Sequence, residues 1–338
     1  MRWNGLRFFD AHLDLACLVA NGRDMDNPDL AKCGGPFLPA AVTLPVLRAA
    51  NVDRLLGTIF TELNGNEPGV GYPAGDAVIA GDVGRYQLSV YERWWCSGRA
   101  SRFHDASVEV PRIGILIEGA DPIAGPGEVA WWASCGVIAI GLAWARGSRY
   151  AGGNTEQRGL TVGGPYDGAD LIRAIDKAKL THDVSHLSDA SFDQLMNLAT
   201  GPVMASHSNS RALLGDPTNQ RHLSDRQIQA ITARHGMIGL NLYSLFLSRE
   251  GKDRRATLSE TLDHVEHICA LAASRKHVGL GSDMDGGLSA LRLPEDIQNP
   301  TDLHRLADGL SDRGWTDEEV RGFAHENWER FFGIAKGG

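Results

Sequence analysis

A single (β/α)8 barrel of the TIM type, closed by C-terminal helices and spanning residues 1–338 as one domain, is the fold class this sequence predicts. Three observations lead there. Eight short apolar runs alternate with longer amphipathic segments from one end of the chain to the other. The runs are bounded by Gly or Pro, rich in Ile and Val and too short for helices, as buried parallel strands would be. After the first run stands Asp10-Ala11-His12, where an open doubly wound sheet would carry a Gly-rich phosphate loop.

In chain order the strand-like runs are residues 6–9, 52–60, 112–117, 137–142, 181–185, 202–206, 237–242 and 278–282. Helical patterns lie between them. Residues 190–198 put Phe192, Leu195 and Leu198 on one face, and residues 258–271 space Leu262, Val265, Ile268 and Leu271 likewise. Ser188 and Ser224 are placed as N-caps, because each precedes an Asp-containing first turn that complements the helix dipole. Residues 65–75 and 146–164 are glycine-rich and polar, and read as loops over the barrel top. Residues 303–310 and 316–332 form the closing helices. No fixed-period repeat, low-complexity tract or clear linker divides the chain, and barrels of about 250 residues and upward are single units.

Asp and Glu number 42 against 33 Lys and Arg, a formal net charge of -9. That balance argues against a broad nucleic-acid or anionic-membrane surface, both of which need clustered cations. The five cysteines, Cys17, Cys33, Cys96, Cys135 and Cys269, are widely spaced and include no C-x-x-C pair. This usage suits a reducing compartment and speaks against a disulfide framework. No signal-peptide-like stretch precedes His12, and no run of about 18 apolar residues exists for a membrane span. The expectation is a cytoplasmic protein, and a homodimer as the commonest closed assembly.

The informative residues fall at the C-terminal ends of the strand-like runs. His12 and Asp14 follow the first, Glu118 the third, His186 the fifth, His207 the sixth and Asp283 the eighth. Barrel active sites lie at that end, so the six side chains are predicted to converge in one mouth. Taken singly, each has an ordinary explanation as a hydrogen-bonded histidine or a turn carboxylate. Three histidines and three carboxylates at five strand ends exceed what turn chemistry explains. Imidazole and carboxylate without thiolate suit Zn, Mn or Fe. Glu118 is the candidate bridge between two divalent cations, with His12 and Asp14 completing one site and His186 and His207 the other. Two cations about 3.5–4 Å apart would hold a hydroxide as nucleophile, leaving Asp283 as general base and acid.

The segments Phe9-Asp10-Ala11-His12-Leu13-Asp14, Ile117-Glu118-Gly119, Asp183-Val184-Ser185-His186-Leu187-Ser188, Ala205-Ser206-His207-Ser208-Asn209 and Gly281-Ser282-Asp283-Met284-Asp285-Gly286 resemble the membrane (renal) dipeptidase family of the amidohydrolase superfamily. The resemblance runs in order along nearly the whole chain. It implies a two-zinc site with His12, Asp14, Glu118, His186 and His207 as ligands, bridged by Glu118, with Asp283 as catalytic acid/base. It further implies that Arg221 grips a substrate carboxylate, for which a guanidinium fork is suited, and that Tyr243 lines the substrate site. One departure stands out. At Trp144, in Leu142-Ala143-Trp144-Ala145-Arg146, mammalian relatives carry a histidine, and many bacterial ones have Trp followed by Asn. Trp144 can pack or donate one N–H but cannot act as an imidazolium, and Arg146 is the neighbouring source of positive charge.

The function these residues imply is hydrolysis of the amide bond of a dipeptide or N-acyl amino acid, a small-molecule substrate. Another enzyme reading keeps the metals but changes the bond to a lactone, phosphoester or other C–N bond. A non-catalytic metal-binding barrel would need a broken site, and none of the six positions is broken. His182, four residues before His186, is expected to point into the barrel as a buried, hydrogen-bonded histidine. His264 and His267 are expected on a solvated helix face, and Trp94, Trp95, Trp131 and Trp132 in core or interface packing.

Overall fold

The computed structural model describes residues 2–65, 69–106 and 109–334. Eight parallel strands form a closed ring: β1 Phe8–Leu13, β2 Val52–Phe60, β3 Arg112–Glu118, β4 Val137–Gly141, β5 Thr181–Asp183, β6 Val203–Ala205, β7 Met237–Leu240 and β8 Val278–Leu280. β1 pairs with both β8 and β2, and each later strand with its successor, β2 meeting β3 from Arg54 opposite Arg112 to Phe60 opposite Glu118, which closes the barrel. All eight predicted runs are strands, shifted by a few residues at their ends. Helices between the strands cover the outside: α1 Leu15–Ala20, α2 Leu44–Ala49, α3 Ala77–Cys96, α4 Val129–Ser134, α5 Gly168–Lys177, α6 Asp189–Leu198, α7 Arg211–Leu214, α8 Asp225–Ala233 and α9 Leu258–Ala272. No helix among the described residues is long and apolar enough to cross a membrane.

The caps are where the sequence puts them. Ser188 accepts from Ser191 N, and Ser224 forms a capping box with Gln227, satisfying orphan donors at the starts of α6 and α8. Phe192 and Leu195 are buried as expected, but Leu198, at the last turn of α6, is 40% exposed. Trp94 and Trp132 are buried, whereas Trp131 lies outside under the Arg85 guanidinium.

Two core layers result. Strand residues such as Ile113, Ile115 and Ile117 pack with the helices, while Phe9, Leu56, Leu116, Met204 and Met237 fill the barrel with Trp328. The predicted closing segments are α10 His304–Asp312, then α11 Asp317–Arg321, a π-helical turn and α12 Asn327–Phe331. Trp328 of α12 stacks on Phe9 at 5.8 Å and donates its indole N–H to Leu280 O, so α12 plugs the barrel base. Gly239 and Gly281 allow the tight closure at the other end, since a Cβ on either would sit 1.8 Å from Ser206 O. Of the predicted 65–75 loop, residues 66–68 lie outside the described residues. Gly71–Tyr72, within it, pairs with Glu62–Leu63 just before it as a short ladder.

Candidate metal centre and cleft

Every candidate residue sits at the C-terminal rim. β1 ends at Leu13 and presents His12 and Asp14, while Glu118 is the last residue of β3. His186, His207 and Asp283 come two or three residues after β5, β6 and β8. His186 and Asp283 have left-handed backbones, φ 65° and 59°, which turn the chain sharply out of the strand.

The side chains converge. Glu118 Oε1 lies 3.1 Å from His186 Nε2 and 3.3 Å from His207 Nε2, while Oε2 lies 3.5 Å from His12 Nε2. His12 Nε2 is also 3.7 Å from Asp14 Oδ1. Among the described residues three groups bring their ligand atoms within 4.8 Å of one another: His12, Asp14 and Asp283; Glu118, His186 and His207; and, behind the rings, His12, Asp183 and His207. Glu118 Oε1 faces the two imidazoles of its own group, and its Oε2 reaches His12 of the first. All six residues are buried.

The electrostatics are those of an anionic pocket. Burial disfavours the imidazolium of His12, but Glu118, Asp14 and Asp283 outweigh it and raise its pKa to about 10. Burial lowers His186 to about 4, helped by Arg221, and holds His207 well below the ordinary histidine value, with His12 and Arg221 adding to the effect. Asp283 is pushed up to about 8, first by burial, then by Asp14 and Glu118 against His12 and Arg221. The donor set fits metal ions on a second ground: His12 Nε2 is fully buried and has no hydrogen-bond partner. Such an atom is costly unless something binds it.

A supporting layer fixes the rings. His12 Nδ1 and His207 Nδ1 both contact Ser206 Oγ, and His186 Nδ1 contacts Asn154 Oδ1 at 2.9 Å. Thr58 Oγ1 donates to Asp14, and Asn241 Nδ2 donates to Asp283 Oδ2 at 2.8 Å.

Above the carboxylates opens a cleft of about 510 Å³, whose walls include Phe37, Phe60, Trp144, Tyr243 and Phe246, with Arg221 at one side. Arg221 is 6% exposed. It donates to His207 O at 2.9 Å and Ser208 Oγ at 3.3 Å, and its guanidinium lies over Phe246. Its Nε has no partner. Trp144 packs edge-on against Phe60. Arg146 is not among the cleft-lining residues; its side chain is mostly exposed and reaches back toward Glu62.

Two histidines depart from expectation. His182 is buried, but its Nε2 pairs with Asp176 of α5 at 2.7 Å, so it points outward to the helix layer and not into the barrel. His264 is not on a solvated face: it is fully buried, accepts from Ser210 N and bonds to Leu247 O. His267 is partly exposed and pairs with Asp225. Asn154 carried no signal, being one polar residue in a glycine-rich loop. Ser206 and Asp183 stood in the motifs beside ligand candidates, which was the available clue.

The family described as membrane dipeptidase (peptidase family M19) matches residues 5–336. An uncharacterised protein of the pqqA 5' region of Klebsiella pneumoniae is 32% identical over 220 residues, covering 63% of this chain and 78% of that one. Dipeptidase aclJ of Aspergillus oryzae is 27% identical over 300 residues, 86% of this chain and 69% of its own. Among solved structures, a metallopeptidase from Rhodobacter sphaeroides, described as liganded with a phosphinate mimic of L-Ala-D-Ala, aligns with TM-score 0.79 and 23% identity over 97% of this chain and 99% of that one. The dipeptidase PvdM of Pseudomonas aeruginosa, described as probable, aligns with TM-score 0.80 and 17% identity over 97% and 95%.

Proposed function

Since the chain belongs to the membrane dipeptidase family, peptidase family M19, and is a metal-dependent hydrolase of dipeptidase type, we propose that it cleaves the amide bond of a dipeptide or N-acyl amino acid with two zinc ions held at the barrel mouth. His12, Asp14 and Glu118 hold one ion; Glu118, His186 and His207 hold the other. The observation carrying this reading is that both oxygens of one buried carboxylate, Glu118, face three imidazole Nε2 atoms at 3.1–3.5 Å. That donor set of nitrogen and oxygen, with no sulfur, suits zinc. When bound, the cations supply Lewis-acid charge that polarises a carbonyl and lowers the pKa of water.

The chain's own residues do the rest. Arg221 receives the substrate's free carboxylate, with its buried charge aimed into the cleft and a spare Nε–H. Trp144, Phe60 and Tyr243 give the side chains apolar walls and exclude water. Asp283, a buried carboxyl beside His12, Asp14, Glu118 and Arg221, takes a proton from the attacking water and passes it to the leaving amine nitrogen. Asn241 fixes the orientation of that carboxyl.

The test is purified, zinc-loaded protein against a panel of dipeptides and N-acyl amino acids in both stereochemistries, including L-Ala-D-Ala. Turnover of a member with a free carboxylate is expected. Two bound metals with no turnover anywhere would defeat the peptidase assignment.

A further inference from the structure

One hydroxyl stands behind both halves of the metal centre. Ser206 Oγ lies 2.8 Å from His207 Nδ1 and 3.1 Å from His12 Nδ1, and it donates to Asp183 Oδ2 at 2.6 Å. Ser185 Oγ lies farther off, at 3.4 Å. Ser206 and Asp183 are buried, and Asp183 Oδ1 already accepts from Ser185 N and Ser206 N.

The hydrogen count then fixes the rings. A hydroxyl has one proton and two lone pairs. Its single proton goes to Asp183, so both imidazole contacts are accepted: His12 and His207 must each carry their proton on Nδ1. That leaves both Nε2 atoms facing Glu118; on His12 the anionic pocket also favours a proton at Nε2, which a bound cation would replace. His186, by contrast, is oriented through a different residue, Asn154.

We infer that Ser206, held by Asp183, is a positioning residue that sets the tautomer of one histidine in each half-site and so couples the two metal sites through a single hydroxyl. The inference rests on the two-metal reading above. Ser206 touches neither ion nor substrate and acts only through the rings.

The test is metal-binding titration of apo protein, wild type against Ser206→Ala, Ser206→Thr and Asn154→Ala, with circular dichroism as the folding control. Removing an outer hydrogen-bond partner costs metal affinity about 10–100-fold. Ser206→Ala is expected to weaken both binding events by that factor, Ser206→Thr to restore both, and Asn154→Ala to weaken only one. A folded Ser206→Ala protein that keeps wild-type affinity at either site overturns the inference. If that variant fails to fold, ¹⁵N-histidine spectra of zinc-loaded wild type decide: Nδ1–H and metal-bound Nε2 on both rings uphold it, and a metal-bound Nδ1 on either ring overturns it. Wild-type protein binding no metal at all would instead defeat the two-metal reading and the inference with it.

Discussion

His186 Nε2 and His207 Nε2 face each other across 2.9 Å. Each ring has its Nδ1 engaged elsewhere, by Asn154 and by Ser206. Burial holds both pKa values below the ordinary histidine range, so both rings are neutral near pH 7. Two imidazole nitrogens and a Glu118 oxygen therefore point into one small volume. Three donor atoms of that kind at that spacing suit a shared cation.

Chelation is the first consequence. Removing metal with a strong chelator is expected to abolish hydrolysis, with recovery on adding zinc, while the barrel stays folded because its core is apolar and independent of the site. Activity, metal content and circular dichroism on one sample check this. Unfolding on chelation would point to a structural role for the ions instead.

Asp283→Asn keeps the shape and the hydrogen bond to Asn241 but cannot shuttle a proton. Its kcat is expected to fall about 10²–10⁴-fold, the usual worth of general acid–base catalysis. Metal stoichiometry, measured in parallel, should remain at the wild-type value.

Arg221→Ala should lower kcat/KM for dipeptides about 10–100-fold, the worth of a charged hydrogen bond of about 1.5–3 kcal/mol. An amidated dipeptide, lacking the carboxylate, should be little affected. Equal losses on both substrates would remove Arg221 from carboxylate recognition and favour a different substrate class.

His264 gives a pH dependence of stability. Burial pushes its pKa down to about 4 in the folded chain, against about 6.5 when unfolded. The unfolded chain thus takes up the proton first. The contribution is fully present above pH 6.5 and is lost as pH falls towards 4. The depression corresponds to about 3 kcal/mol at most. His264→Gln should therefore be less stable than wild type at pH 7 in urea unfolding of metal-free protein, with the gap narrowing at pH 4.5.

The strands and the rim residues were legible in sequence because they rest on local rules: short Ile/Val runs bounded by Gly, and ionisable residues just past their ends. His182 was misplaced by that same rule. Counting by twos back from His186 assumes an extended chain, but β5 ends at Asp183 and His186 is left-handed. His264 was misread because its burial depends on distant partners, Ser210 and Leu247, that satisfy both ring nitrogens. Helical spacing carries no trace of them. Arg221 and Trp144 needed the family resemblance, since an arginine before a helix or a tryptophan after a strand has no functional signature alone.

The left-handed turns at His186 and Asp283 carry a last implication. Residues with a Cβ are uncomfortable there, at a cost of order 1–3 kcal/mol each. A glycine would relax into the same shape, so Asp283→Gly should melt at a higher temperature than Asp283→Ala while both are inactive. The reacting mouth is then a weight borne by the surrounding scaffold, and loosening it trades chemistry for sturdiness.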